Sequence, residues 1–228
     1  MKVTLVACTE PRVGQGILTA EQFIVYCARV SNPNNQLNVE TAPKLLAYCV
    51  RNKHWSIFEQ VMMTVEIVTS RAIATQILRH RSFAFQEFSQ RYAVATKFEN
   101  IELRKQSTKN RQGGEELLDP ATPLKVDDGS WGSETASAEA VVADAVRHSE
   151  NVYAQLLQAG VAKECARMVL PLCTQTTLYM TGSVRSWIHY LQVRCDPHTQ
   201  KEHREIADAI RDIFRAEFPD TSKALWFS

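Results

Sequence analysis

Between Arg79 and Tyr92 the chain reads Arg-His-Arg-Ser-Phe-Ala-Phe-Gln-Glu-Phe-Ser-Gln-Arg-Tyr, with three arginines, a histidine, a carboxylate and two serines in fourteen positions. The opening triplet closes a periodic run from Arg71 to Arg81, in which Ile73 and Ile77, with Ala74 and Leu78 beside them, supply the apolar face of a helix. Gln76 and Arg79 are three apart, so on that helix they share a side and can reach one ligand. From Ser82 to Tyr92 aromatic and polar residues alternate, which predicts an extended segment. There Glu87, Ser89 and Arg91 fall at two-residue steps and point the same way. An acceptor, a hydroxyl and a guanidinium beside an arginine-bearing helix end suit a ligand with both phosphate and polar ring edges, because Arg offers a rigid fork of donors. A solvated charged face is the alternative reading of the same residues.

A second set follows Gly182. Val184, Ile188 and Leu191 form an apolar seam, and Arg185, His189 and Gln192 fall on a neighbouring polar stripe. A cation and an imidazole one turn apart are costly to bury without partners. His189 alone reads as a core histidine; beside Arg185 it points to ligand binding. Arg194, at the end of the same run, complements a helix C-terminus. Arg167 sits among Cys165, Ala166, Met168, Val169 and Leu170, an apolar context that invites a buried partner. His54-Trp55-Ser56-Ile57-Phe58-Glu59 reads as a turn near a strand end. No metal set emerges, since His198 and His203 lack a carboxylate at helical spacing, and Asp196-Pro197-His198 reads as a helix start. Ser89 has no nucleophile context. Gly14-Gln15-Gly16 is not followed by the helix pattern of a dinucleotide fingerprint, so a bound flavin or nicotinamide would require a fold other than Rossmann.

The elements that must position these residues are legible along the chain. After a strand over Val3 to Cys8, Thr19-Ala20-Glu21-Gln22 is a capping box opening a helix to about Val30. A second helix runs from about Thr41, with Pro43 in its first turn, to about Asn52. Val61 to Thr69 alternates as a strand. Residues 97–137 are polar and rich in turn formers, including Gly113-Gly114, Asp127-Asp128-Gly129 and Gly132, and read as a long surface insertion, a candidate flap over the site. Helices are expected over Ala138 to Gln158, capped by Gly160, over Ala162 to Val169, over Gln175 to Val193, and over Gln200 to Ala216.

The 228 residues suffice for one domain or a tight pair with a real core. With Lys+Arg 26 against Asp+Glu 25, the whole chain has no electrostatic reason to seek nucleic acid or an anionic membrane. An RNA surface with Phe83, Phe85 and Tyr92 as stacking partners is thereby disfavoured. Six cysteines without paired spacing read as reduced core residues of a cytoplasmic protein. The apolar start is too short for a signal peptide, and no run approaches membrane-spanning length.

In this order the blocks resemble the flavin-dependent thymidylate synthases. The hallmark of that family is Arg-His-Arg, seven residues, then Ser, here Arg79-His80-Arg81 and Ser89. The match extends to Cys27 to Ser31, His54 to Glu59, Gln86 to Tyr92, Ala166 to Pro171, Gly182 to Leu191, and Arg194 to Asp196. The resemblance implies a mixed α/β homotetramer, an antiparallel sheet flanked by long helices, a single synthase domain over 1–228, and active sites built from several subunits. It implies conversion of dUMP to dTMP with methylenetetrahydrofolate as one-carbon donor and NADPH reducing FAD. It assigns FAD to His54, Ser56, Glu59, Arg79, His80, Arg81, Glu87, Ser183, Arg185 and His189. It assigns dUMP to Gln76, Arg79, Glu87, Ser89, Arg91, Arg167 and Arg194. Some members carry Asn where this chain has Ser183 and His189. Arg194 takes the catalytic role of polarising the uracil ring, with no cysteine nucleophile and no metal. Arg91 and Arg167 are expected to clamp phosphate, and the Arg79-His80-Arg81 cluster to favour anionic reduced flavin.

Overall fold

The computed structural model describes residues 1–14, 16–126 and 134–226. They form two units, one made of Met1–Thr69, Ile73–Glu87 and the chain from Thr177 onward, the other of Ser70–Ala72 and Phe88–Thr176.

The first unit opens with strand β1 (Lys2–Cys8) and helix α1 (Ala20–Ala28). The capping box forms as expected: the Thr19 hydroxyl accepts from the Gln22 N–H, and the Gln22 side chain accepts from the Thr19 N–H, both at 3.1 Å. Helix α2 (Ala42–Arg51) carries Pro43 in its first turn, where the missing N–H costs nothing. A 3₁₀ turn over Trp55–Glu59 leads into β2 (Met62–Ser70), in which Met63, Val65, Ile67 and Thr69 alternate into the core. Helix α3 (Arg71–Ile77) is shorter than the sequence predicts. His80 donates its N–H to Ile77 O, and Phe83 to His80 O, so tight turns replace the last helical turn through Arg81. The extended segment is also cut short, to strand β3 (Ala84–Glu87).

The second unit holds the stretch expected to be a surface insertion. Its described part forms two hairpins, β4 (Arg104–Gln106) with β5 (Gly114–Leu117) and β6 (Pro123–Val126) with β7 (Glu134–Ser137). The predicted turn at Asp127-Asp128-Gly129 and Gly132 lies outside the described residues. Helix α4 (Ala138–Gln158) has the expected bounds. The Ser137 hydroxyl caps its start by accepting from the Ala140 N–H, and Gly160 follows its end at φ 83°, a left-handed conformation that glycine adopts without strain. The short helix α5 (Lys163–Ala166) continues as a 3₁₀ turn over Arg167–Val169.

The single helix expected over Gln175 to Val193 is corrected. It is strand β8 (Gln175–Ser183) followed by helix α6 (Val184–Arg194). Thr176, Leu178 and Met180 are buried at two-residue steps, which only an extended chain can do, and the β-branched threonines favour it. Helices α7 (Lys201–Glu217) and α8 (Pro219–Trp226) complete the first unit. The four-stranded sheet has the order β1-β2-β8-β3, with β1/β2 and β3/β8 antiparallel. Its core includes Phe58, Ile67, Leu178, Trp187 and Tyr190, joined by the Ile206, Ile210 and Phe214 stripe of α7. Buried Trp187 satisfies its indole N–H on the Met63 carbonyl at 3.0 Å. Among the described residues no helix is long and apolar enough to cross a membrane.

Candidate active site

At the β8–α6 junction Ser183 is extended (φ −67°, ψ 156°) and its hydroxyl caps α6 by accepting from the Ser186 N–H. The same hydroxyl donates to Glu59 Oε2 at 2.8 Å, and Arg185 Nη1 donates to Glu59 Oε1 at 2.8 Å. One carboxylate at the end of a 3₁₀ turn thus ties down the start of α6. The Ser186 hydroxyl donates to the Ser82 carbonyl at 3.2 Å, which brings in the turn after the Arg-His-Arg triplet. Glu59, Ser82, Arg185 and Ser186 open onto a cavity of about 470 Å³, lined also by Trp55, Ile188, His189 and Gln192, with Ser183 buried behind it. The size suits part of a cofactor-sized ligand. Arg185 and His189 are exposed, so the polar stripe of α6 faces outward as expected. Gly182 gives this junction its shape: a Cβ there would lie 2.4 Å from the Phe83 ring, which packs on Trp187.

His80 lies one step deeper. Its Nε2 accepts from Arg194 Nε at 2.8 Å, and its ring stands edge-to-face on Tyr190 with centroids 4.9 Å apart. Burial, then the Arg194 and His189 charges, lowers its pKa to about 4. His80 is therefore neutral at physiological pH, and within the triplet Arg79 and Arg81, both exposed, carry the positive charge. Gln76 hydrogen-bonds Gln200 and His203. Helix α3 ends at Ile77, so Arg79 lies in the turn that follows, where its N–H donates to the Gln76 carbonyl at 3.4 Å. His54 packs edge-on against Tyr48, and Ser56 is exposed on the 3₁₀ turn; neither lines the cavity.

In the second unit Arg91 grips Glu164 Oε2 through Nε at 3.1 Å and Nη2 at 3.0 Å. Arg167 Nε donates to the Glu164 carbonyl at 3.3 Å. The two expected phosphate-clamp arginines therefore converge on one residue. Arg167 also lines a smaller cavity of about 250 Å³ with Arg71 and Gln90. The buried partner expected for Arg167 is corrected: Arg167 is half-buried, its bond to the Glu164 carbonyl is exposed, and its apolar neighbours Met168 and Leu172 are 79% and 68% exposed. The common face expected for Glu87, Ser89 and Arg91 is corrected too. Extended structure ends at Glu87, and Tyr92 and Ala93 donate back to the Ser89 carbonyl, so Arg91 sits in a turn.

Sequence reasoning missed Tyr190 and His203, both fully buried beside His80. A histidine on the apolar stripe of α7 was the available signal. It also placed Asp196 at a helix start, whereas its carboxylate caps a separate turn by accepting from the His198 N–H and α7 begins at Lys201. Burial pushes the Cys195 thiol up to about 12 and Cys8 to about 11, which makes both poor nucleophiles. Cys165 is exposed, a correction to the core reading of that cysteine.

Three comparisons bear on this geometry. The model of the thymidylate synthase complementing protein family matches residues 15–220. A flavin-dependent thymidylate synthase of Synechocystis sp. is 51% identical over 228 residues, 99% of each chain. A probable flavin-dependent thymidylate synthase of Paramecium bursaria Chlorella virus 1 is 49% identical over 226 residues, again 99% of each. Among solved structures, a UMP/dUMP methylase from Streptomyces cacaoi bound with 5-Br dUMP superposes with a TM-score of 0.73 at 24% identity, covering 98% of this chain and 93% of that one, a likeness of fold.

Proposed function

The chain belongs to the thymidylate synthase complementing protein family, that of the flavin-dependent thymidylate synthases, and from that premise we propose that it methylates dUMP to dTMP. The one-carbon unit comes from methylenetetrahydrofolate. FAD, when bound, supplies the reducing equivalents drawn from NADPH. The observation that carries the reading is the hydrogen bond from Arg194 to a neutral His80. That partner orients the guanidinium without cancelling its charge, so the charge remains for the substrate.

The donor set fits the cofactor. Arg185 and His189 line the cavity and offer donors to its phosphates, to which Arg79 and Arg81 are added by family likeness; Trp55 and Ile188 offer apolar surface, and Glu59, itself held by Ser183, keeps Arg185 in place. His54, Ser56, His80 and Glu87 complete the flavin set by family likeness. Gln76, Arg79, Glu87, Ser89 and Arg194 contact dUMP, and Arg91 and Arg167 clamp its phosphate, which displaces the Glu164 carboxylate from Arg91. The protein is a homotetramer of single synthase domains with a non-Rossmann flavin fold, working in the cytoplasm. Each of its sites draws on several subunits, so these groups need not come from one copy.

For methyl transfer, C5 of the uracil must become electron-rich. Arg194 stabilises the anion left when N3–H ionises, which lowers that pKa and pushes density toward C5. With the thiols of Cys8 and Cys195 held protonated by burial, the reading asks for no sulfur attack on the ring. The test is the absorption spectrum of the purified protein, followed by anaerobic NADPH with and without dUMP and analysis for dTMP. A flavin spectrum that bleaches faster with dUMP, and dTMP as product, is the expected result. A colourless protein that fails to take up FAD would sink the reading.

A further inference from the structure

Gln76 is held at both ends of its amide. Its Nε2 donates to Gln200 Oε1 at 2.7 Å, and its Oε1 faces His203 Nδ1 at 3.3 Å. Beyond Gln200, the Gln200 Nε2 donates to Glu202 Oε2 at 2.9 Å. Beyond His203, its Nε2 lies 3.0 Å from the Tyr190 hydroxyl. An ionised carboxylate can only accept, so Glu202 fixes the direction of the whole row. Gln200 must turn its amino group to Glu202 and its carbonyl to Gln76. Gln76 must then donate to Gln200 and keep its carbonyl for His203. His203 therefore carries its proton on Nδ1, and its Nε2 accepts from Tyr190. Burial, with Arg194 and His80 nearby, lowers the His203 pKa to about 3, so the imidazole is neutral as the row requires. Burial raises the Tyr190 pKa, so its phenol stays a donor. The reverse direction would set the Gln200 carbonyl against the carboxylate.

We infer that His203 is a positioning residue for recognition of the pyrimidine: with Glu202 setting the direction of the row through Gln200, the His203 Nδ1–H holds the Gln76 carbonyl and so keeps the amide in one of its two flip states. The inference rests on the reading that Gln76 contacts dUMP. The two flip states have the same shape and opposite hydrogen-bond sign, as do the keto edge of uracil and the amino edge of cytosine. Setting the sign before the nucleotide arrives removes a reorganisation cost from binding. The row also ends against the catalytic arginine, because the Tyr190 ring that donates to His203 packs on His80, the acceptor of Arg194. Gln76 and Arg194 thus share one buried scaffold.

Two measurements test this. Nitrogen-15 NMR of the flavin-loaded enzyme without nucleotide reads the tautomer. His203 should be neutral and Nδ1-protonated from about pH 8 to about pH 5; an Nε2–H form or an imidazolium overturns the inference. His203→Phe keeps a ring and removes both nitrogens, whereas His203→Gln restores a donor and an acceptor. The Phe variant should keep its flavin, raise KM for dUMP about tenfold, equivalent to about 1.4 kcal/mol, change kcat less, and bind dCMP relatively better. The Gln variant should recover most of the KM. An unchanged KM in the Phe variant, or the same loss in both, overturns the inference. If the Phe variant does not fold, the tautomer and the Gln variant decide. Wild-type turnover of dUMP is measured alongside: its absence sinks the functional reading, while normal turnover with an indifferent Phe variant sinks only the role of His203.

Discussion

Arginines differ here by the charge of what holds them. Arg185 and Arg91 meet carboxylates, which offset their charge, whereas Arg194 meets a neutral imidazole. Arg194→Ala should keep bound FAD yet lower turnover by about 10²- to 10³-fold, the usual effect of removing a group that stabilises developing charge. Retained turnover, with flavin absorbance unchanged, would remove Arg194 from the mechanism. Arg81→Ala should purify without flavin, judged by the visible spectrum. Glu164→Gln breaks an ion pair whose side chains are 66% and 53% exposed. Its effect on denaturant midpoints should correspond to less than about 1 kcal/mol.

The β8–α6 junction is the element on which the flavin-side residues depend. A strand buried at alternate positions delivers Ser183 in extended geometry, and the serine then caps the helix that carries Arg185, His189 and Arg194. Gly182 must stay small because Phe83 occupies the space where a Cβ would be. Gly182→Ala should destabilise the protein by about 1–3 kcal/mol, the cost of overpacking a rigid site, and loosen the β3/β8 pairing. Chemical denaturation and amide exchange at Ala84–Glu87 would check it; an unperturbed exchange pattern would mean Phe83 moves aside freely. The period-2 burial of β8 was present in Gln-Thr-Thr-Leu-Tyr-Met-Thr. It was hidden by the helical seam of Val184, Ile188 and Leu191 that follows without a break.

At the scale of the whole molecule, buried His203 and half-buried His80 link folding to pH. His80 and His203 titrate near 6.5 when unfolded, but folding lowers them to about 4 and about 3. As pH falls through 6.5, the unfolded chain binds protons that the folded chain refuses, so stability declines toward pH 4 and, for His203, toward pH 3. Above that window neither histidine contributes a slope. Thermal melts of wild type and His203→Gln between about pH 7 and about pH 5 should show a smaller loss in the variant. Equal losses would place the acid sensitivity elsewhere.

The sequence by itself determined the family, the helix caps at Thr19 and Gly160, the bounds of α4, and the short-range sets such as Arg185 with His189. These follow from local spacing, where chemistry and periodicity lie within a turn or two of chain. Tertiary structure decided that α3 stops at Ile77, that Arg91 meets Glu164, that Glu59 holds Ser183 and Arg185, and that His203 and Tyr190 sit beneath His80. Apart from the end of α3, each is a partnership across tens of residues, fixed by which apolar faces pack together, and a buried histidine reveals its proton only when its neighbours are known.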